Sequence, residues 1–107
     1  MGFFNENSDE AQAYNQLSSG NVHKAEMSHE LLAGAASFAA AREYEKHCEK
    51  NGKPQSHAEM KELLAGFAGA FIDREVETRG LDALDKQKAK KDAHDRANKV
   101  IIETGEF

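Results

Sequence analysis

The sequence predicts an all-α fold: a small bundle built on an antiparallel helical hairpin of two repeated helices, with a short N-terminal helix and a C-terminal helix added. Three observations carry this expectation. No segment alternates apolar and polar residues with the period of two that a half-buried strand requires. The 107 residues contain a single proline and a series of helix-start and helix-stop signatures. Finally, a shift of 32 residues lays Glu30–Glu45 over Glu62–Glu77 with nine of sixteen positions identical. Composition alone does not explain that match, because Leu-Leu-Ala-Gly and Arg-Glu-x-Glu blocks fall in register.

Taken in order, residues 1–7 read as an irregular start. Ser8 followed by Asp9 and Glu10 is a helix start, the serine supplying a cap and the acids facing the positive end of the helix dipole. The first helix covers 8–18 and is interrupted by Ser18-Ser19-Gly20-Asn21. The second covers 22–50, starting near Val22 or afresh at Ser28. Asn51-Gly52-Lys53-Pro54 ends it, since Gly or Asn suits a helix C-terminus and Pro cannot continue one. Ser56 with Glu59 forms a capping box that opens the third helix, 56–79, with Gly80 beyond its end. A fourth helix covers 82–103, starting near Asp82, with a mostly alanine stripe of Ala89, Ala93 and Ala97. Docking at both ends through Leu81, Leu84, Val100 and Ile101 is the expectation, with projection as a solvated helix the alternative. The whole chain, 1–107, is read as one domain, and the short connection between the repeated helices makes them antiparallel neighbours.

Charge and composition narrow the function classes. Fourteen basic and nineteen acidic residues give a net charge of −5. The one basic run, Lys86 to Lys91, is flanked by acids, so nucleic acid is not an expected partner. A single cysteine, Cys48, forms no intramolecular disulfide and suits a reducing compartment. No signal peptide or membrane-spanning run is recognised, and Gly2 lacks the Ser or Thr at position 6 that a myristoylation motif wants. The expected location is cytoplasmic, with unconventional secretion left open.

The repeat places small residues at helical spacing: Ala33, Ser37 and Ala41 in one copy, Ala65 with Gly69 and Gly66 with Ala70 in the other. Glycine inside a helix costs about 1 kcal/mol relative to alanine, so Gly34, Gly66 and Gly69 call for an offsetting close approach of helices. The candidate helix-packing or association face is Leu31, Gly34, Phe38, Leu63, Gly66, Phe67, Gly69 and Phe71. Tight packing inside the hairpin, self-association into a homodimer or higher oligomer, and peripheral membrane contact are the three uses it suggests. Self-association would draw on Leu32, Phe38, Phe67, Phe71 and Ile72. Arg42 with Glu45 and Arg74 with Glu77 are repeated i,i+3 pairs, read as ion pairs on the helix surface.

Catalytic and metal chemistry find no support in the residues. Glu26-x-x-His29 has di-iron spacing, but Lys61 stands where the repeat would supply the second His. Glu43, His47 and Cys48 lack a matching second ligand pair. His47 points about 100° away from Cys48 on a helix, so the thiol is read as inert. No catalytic residue, cofactor or metal ligand is assigned, and the expected activity is non-enzymatic, exerted by self-association or by binding an unknown protein partner. Membrane-surface binding is the alternative and metal binding the second.

Several blocks carry a family resemblance. Asp9-Glu10-Ala11-Gln12-Ala13-Tyr14, His23-Lys24-Ala25, and Ser28-His29-Glu30-Leu31-Leu32-Ala33-Gly34-Ala35-Ala36 resemble the fungal CipC-like antibiotic-response proteins. So do Asn51-Gly52-Lys53-Pro54, Leu64-Ala65-Gly66-Phe67-Ala68-Gly69-Ala70-Phe71 and Asp73-Arg74-Glu75-Val76-Glu77-Thr78-Arg79-Gly80-Leu81-Asp82. The resemblance covers most of residues 9–82 and weakens over the last 25. It implies a stress-related fungal protein, induced by an antibiotic (concanamycin), and brings no catalytic residues with it.

Overall fold

A computed structural model describes residues 8–19, 28–79 and 85–103. Within them run four helices: α1 (Asp9–Ser18), α2 (His29–Asn51), α3 (His57–Arg79) and α4 (Lys86–Glu103). The described residues contain no strand. The expected starts at Val22 and Asp82, the cap at Gly80 and the contacts of Leu81 and Leu84 lie outside the described residues.

Each helix begins on a side chain that accepts an orphan N–H. Ser8 Oγ accepts from Ala11 N at 3.1 Å, and Ser28 Oγ from Leu31 N at 3.0 Å. Ser56 Oγ accepts from Glu59 N at 3.2 Å, while the Glu59 carboxylate turns back to the N–H of Gln55 at 3.4 Å. Asp85 Oδ1 accepts from Lys88 N at 3.1 Å. Gly52 ends α2 with φ +81°, where its N–H reaches Cys48 O at 2.8 Å. A residue with a Cβ rarely adopts that φ, so glycine is required for the turn.

The repeat explains the hairpin. Leu32, Ala36, Ala40 and Tyr44 of α2 are buried, and so are their partners 32 residues on, Leu64, Ala68, Ile72 and Val76. One i,i+4 stripe therefore serves both copies. Their surroundings nevertheless differ. α2 packs against α1, α3 and α4, whereas α3 lies against α2 and α4. Accordingly α2 also buries Ala33, Gly34, Ala35, Ser37 and Ala41, while the corresponding Ala65, Gly66, Phe67, Gly69 and Asp73 are exposed or half-buried.

This asymmetry corrects the packing expectation for two glycines. A Cβ at Gly34 would lie 3.2 Å from Ala13 Cβ and 3.5 Å from Arg96 Nη1, so α1 approaches α2 closely there. A Cβ at Gly66 would meet nothing within 4 Å, and at Gly69 only the Lys90 stem at 3.8 Å. Ala65, Gly66, Gly69 and Ala70 thus lie off the hairpin seam, because Met60, Leu64, Ala68, Ile72 and Val76 occupy it.

α4 docks along its length through Ala89, Ala93, Ala97 and Ile101, all fully buried. Charged residues fix its position. Asp73 of α3 receives Lys90 at 3.0 Å and Lys86 at 3.6 Å. The hydrogen bond from Lys90 holds the Asp73 carboxyl below the usual carboxylate range, outweighing the upward push of desolvation. Arg96 spans from Asp92 at 3.1 Å to Glu10 of α1 at 3.3 Å. Burial opposes its charge, but the bond to Asp92 and the charges of Asp92 and Glu10 prevail and raise its pKa. Arg79 ties α3 to α1 by donating to Leu17 O at 3.0 Å, while Glu75 of its own helix pairs with it at 3.2 Å.

Candidate aromatic and arginine groove

A groove of about 490 Å³ opens where α1 meets the α2–α3 hairpin. Its walls follow from the helical period. On α2, Ala39, Arg42, Glu43 and Lys46 share one face; on α3, Phe67, Ala70, Phe71 and Arg74 do so. α1 contributes Tyr14, placed there because Ala11, Ala13 and Leu17 of the same helix are buried. Ala39 and Ala70 are small, which leaves room between the aromatic and cationic walls.

The arginines are held by rings. Arg42 Cζ lies 5.7 Å from the centroid of Tyr14 and 5.9 Å from that of Phe38. Arg74 Cζ lies 5.4 Å from the centroid of Phe71. The rings form a connected set, with Tyr14 centred 4.9 Å from Phe38 and 6.2 Å from Phe71. His47 extends it, 6.3 Å from Phe67.

The expected ion pairs therefore need correction. Among the described residues, Arg42 forms no ion pair with Glu45, and Arg74 none with Glu77. Spacing of i,i+3 brings such side chains near, but an exposed pair gains only about 0.2–0.5 kcal/mol. A cation over an aromatic face gains about 0.5–1 kcal/mol or more, and here the faces are available. Glu43 engages Lys46 at 3.7 Å on the open rim. The groove thus carries three cations, Arg42, Lys46 and Arg74, against the one carboxylate of Glu43, in a chain of net charge −5.

The candidate face named from sequence is divided by the fold. Phe67, Phe71, Arg42 and Arg74 come together in the groove, and Phe38 backs Arg42. Leu31 and Leu63 are half-buried against the core, Gly34 is interior, and Gly66 is exposed. Leu32 and Ile72 are fully buried within the chain and do not reach an outer surface. Glu45 and Glu77 lie outside the groove's lining. Tyr14, Ala39 and Lys46 line the groove without having been singled out, and Ala70 was noted only as a small residue paired with Gly66. Tyr14 carried a signal, as the one aromatic residue of a short helix, following Ala11 and Ala13.

Cys48 is half-buried and free, and His47 Nδ1 lies 3.4 Å from Asn51 Nδ2. Among the described residues no three His, Cys, Asp or Glu side chains converge as a metal cluster. Glu26 of the Glu-x-x-His pair lies outside the described residues. No helix among the described residues is long and apolar enough to cross a membrane.

Neither the comparison with curated proteins nor that with solved structures yields a match. A family model described as "Virulence factor CipC-like" does match, over residues 13–104. That span takes in Tyr14, both copies of the repeat and α4. The chain belongs to the CipC-like family.

Proposed function

We propose that this CipC-like protein is a non-enzymatic binding protein of a fungal stress or virulence response, and that the groove between α1, α2 and α3 is its working surface. One observation carries the reading: the repeat-related Arg42 and Arg74 lie over aromatic rings, lack carboxylate partners among the described residues, and line the same groove. A cation–π contact engages no N–H donor, so the guanidinium groups keep donors for an oxyanion. Arginine stays protonated and serves as neither base nor nucleophile near neutral pH. Lys46, the remaining cation, is engaged by Glu43. Such a lining suits recognition rather than bond breaking.

Self-association remains a second use of this surface. Leu32 and Ile72 are consumed by the chain's own core, so a second copy would have to seat on Phe38, Phe67 and Phe71 and would compete with any ligand. The cytoplasm is the location we infer, from the single cysteine.

A fragment screen followed by amide chemical shifts tests the reading. Shifts are expected to concentrate at Ala39, Arg42, Phe67, Ala70 and Phe71. Fragments that perturb none of these amides, or perturb only α4, would contradict it.

A further inference from the structure

The geometry points to a ligand class for the groove: a small, flat aromatic molecule bearing an acidic oxyanion, carboxylate or phosphate. This inference rests on the binding reading above and adds to it the chemistry of the ligand. The groove volume of about 490 Å³ falls within the usual range for small-molecule sites, about 300–1,000 Å³. Tyr14, Phe67 and Phe71 offer ring surface for a flat apolar body.

Charge decides the other end. Each arginine is fixed by a ring, which lowers the side-chain freedom lost when it takes up a ligand. The guanidinium edge matches an oxyanion with two parallel N–H···O bonds. A cation or a dicarbonyl acceptor without charge would leave that match unused. Attraction to the groove is also local, since the chain as a whole is acidic. A large anionic surface such as a bilayer would meet repulsion from the remaining molecule, whereas a small anion feels chiefly the nearby cations.

Three naphthalene probes, 1-naphthoate, 1-naphthyl phosphate and the neutral 1-naphthamide, together with inorganic phosphate, test the assignment by isothermal titration and amide shifts. For ligands of this size the expected Kd is on the order of 0.1–1 mM for the preferred anion. 1-Naphthamide and inorganic phosphate should each bind at least about tenfold more weakly, as losing a charge-assisted hydrogen bond implies. The stronger of the two anionic probes tells carboxylate from phosphate. Arg42→Gln and Arg74→Gln should each weaken that probe by about tenfold, with Arg42→Lys intermediate, while Lys99→Gln on α4 leaves it unchanged. If an arginine variant loses its fold, Phe71→Leu replaces it and should weaken the same probe by removing a ring.

Equal binding of 1-naphthamide and 1-naphthoate at the groove, indifferent to both arginine substitutions, would overturn the oxyanion assignment and leave the binding reading standing. Inorganic phosphate binding as tightly as 1-naphthyl phosphate would overturn the aromatic half. Probe-induced shifts confined to other faces, or no binding by any probe at millimolar concentration, would overturn the assignment as a whole. The fragment screen above then decides the binding reading separately.

Discussion

A methyl group added at Gly34 would press on Ala13 Cβ at 3.2 Å, while one added at Gly66 would enter open space. The two positions are equivalent in the repeat, and in a free helix both would gain from alanine. Gly66→Ala should therefore stabilise the protein by about 0.5–1 kcal/mol, read as a higher urea midpoint at unchanged slope. Gly34→Ala should fall clearly short of that gain because α1 must yield. Gly34→Leu should cost about 1–3 kcal/mol or more through overpacking, and Gly66→Leu should not. Equal responses at the two positions would contradict the placement of α1 over α2. The repeat makes both glycines visible in the sequence, but which copy is surrounded by other helices depends on where α1 and α4 dock. The arginines teach the same lesson. Their spacing from Glu45 and Glu77 suggests ion pairs; Phe38 and Phe71, four and three residues before Arg42 and Arg74, offer competing rings within local reach, and only the Tyr14 ring reaches Arg42 through tertiary docking.

At the scale of elements, α4 is a helix with little apolar bulk, attached by alanines and charge. Ala93 is fully buried, so Ala93→Leu should push α4 off the hairpin and lower stability by about 1–3 kcal/mol. Loss of stability should be accompanied by larger solvent exchange of α4 amides than of α2 amides. The Asp73 contact adds a pH dependence. Its pKa is lowered in the folded protein, chiefly by the hydrogen bond from Lys90, so the unfolded chain binds this proton more readily than the folded one does. Its contribution is present above the ordinary aspartate pKa of about 3.9 and is lost as pH falls through the lower folded value. Melting temperatures of wild type and Asp73→Asn should differ at neutral pH and converge in acid; a constant difference down to low pH would show that the pair adds nothing. The helix starts and stops that the structure describes were legible, because Ser8, Ser28, Gly52 and Ser56 act through their immediate neighbours. The cap at Asp85 was not, since it sits in a region rich in charges where several starts look alike.

For the whole molecule, the repeat has two outcomes. It builds the hairpin with a shared buried stripe, and it brings Arg42 and Arg74 to one groove lined by aromatic rings. The all-α class and the family could be read from the sequence, because caps, periodicity and motif blocks are local. The groove could not, because it needs α1 against the hairpin and contains residues from three helices. If Arg42 and Arg74, which line the same groove, engage one oxyanion together, a double-mutant cycle reads their coupling. Affinity for the stronger anionic naphthalene probe is measured for wild type, Arg42→Gln, Arg74→Gln and the double variant, with folding checked by amide spectra. Each single substitution is expected to weaken binding by about tenfold, and the double variant to depart from the product of the two losses, as sites sharing a partner do. A folded double variant whose loss equals the product of the two single losses, or that binds the probe as well as wild type, would contradict joint engagement.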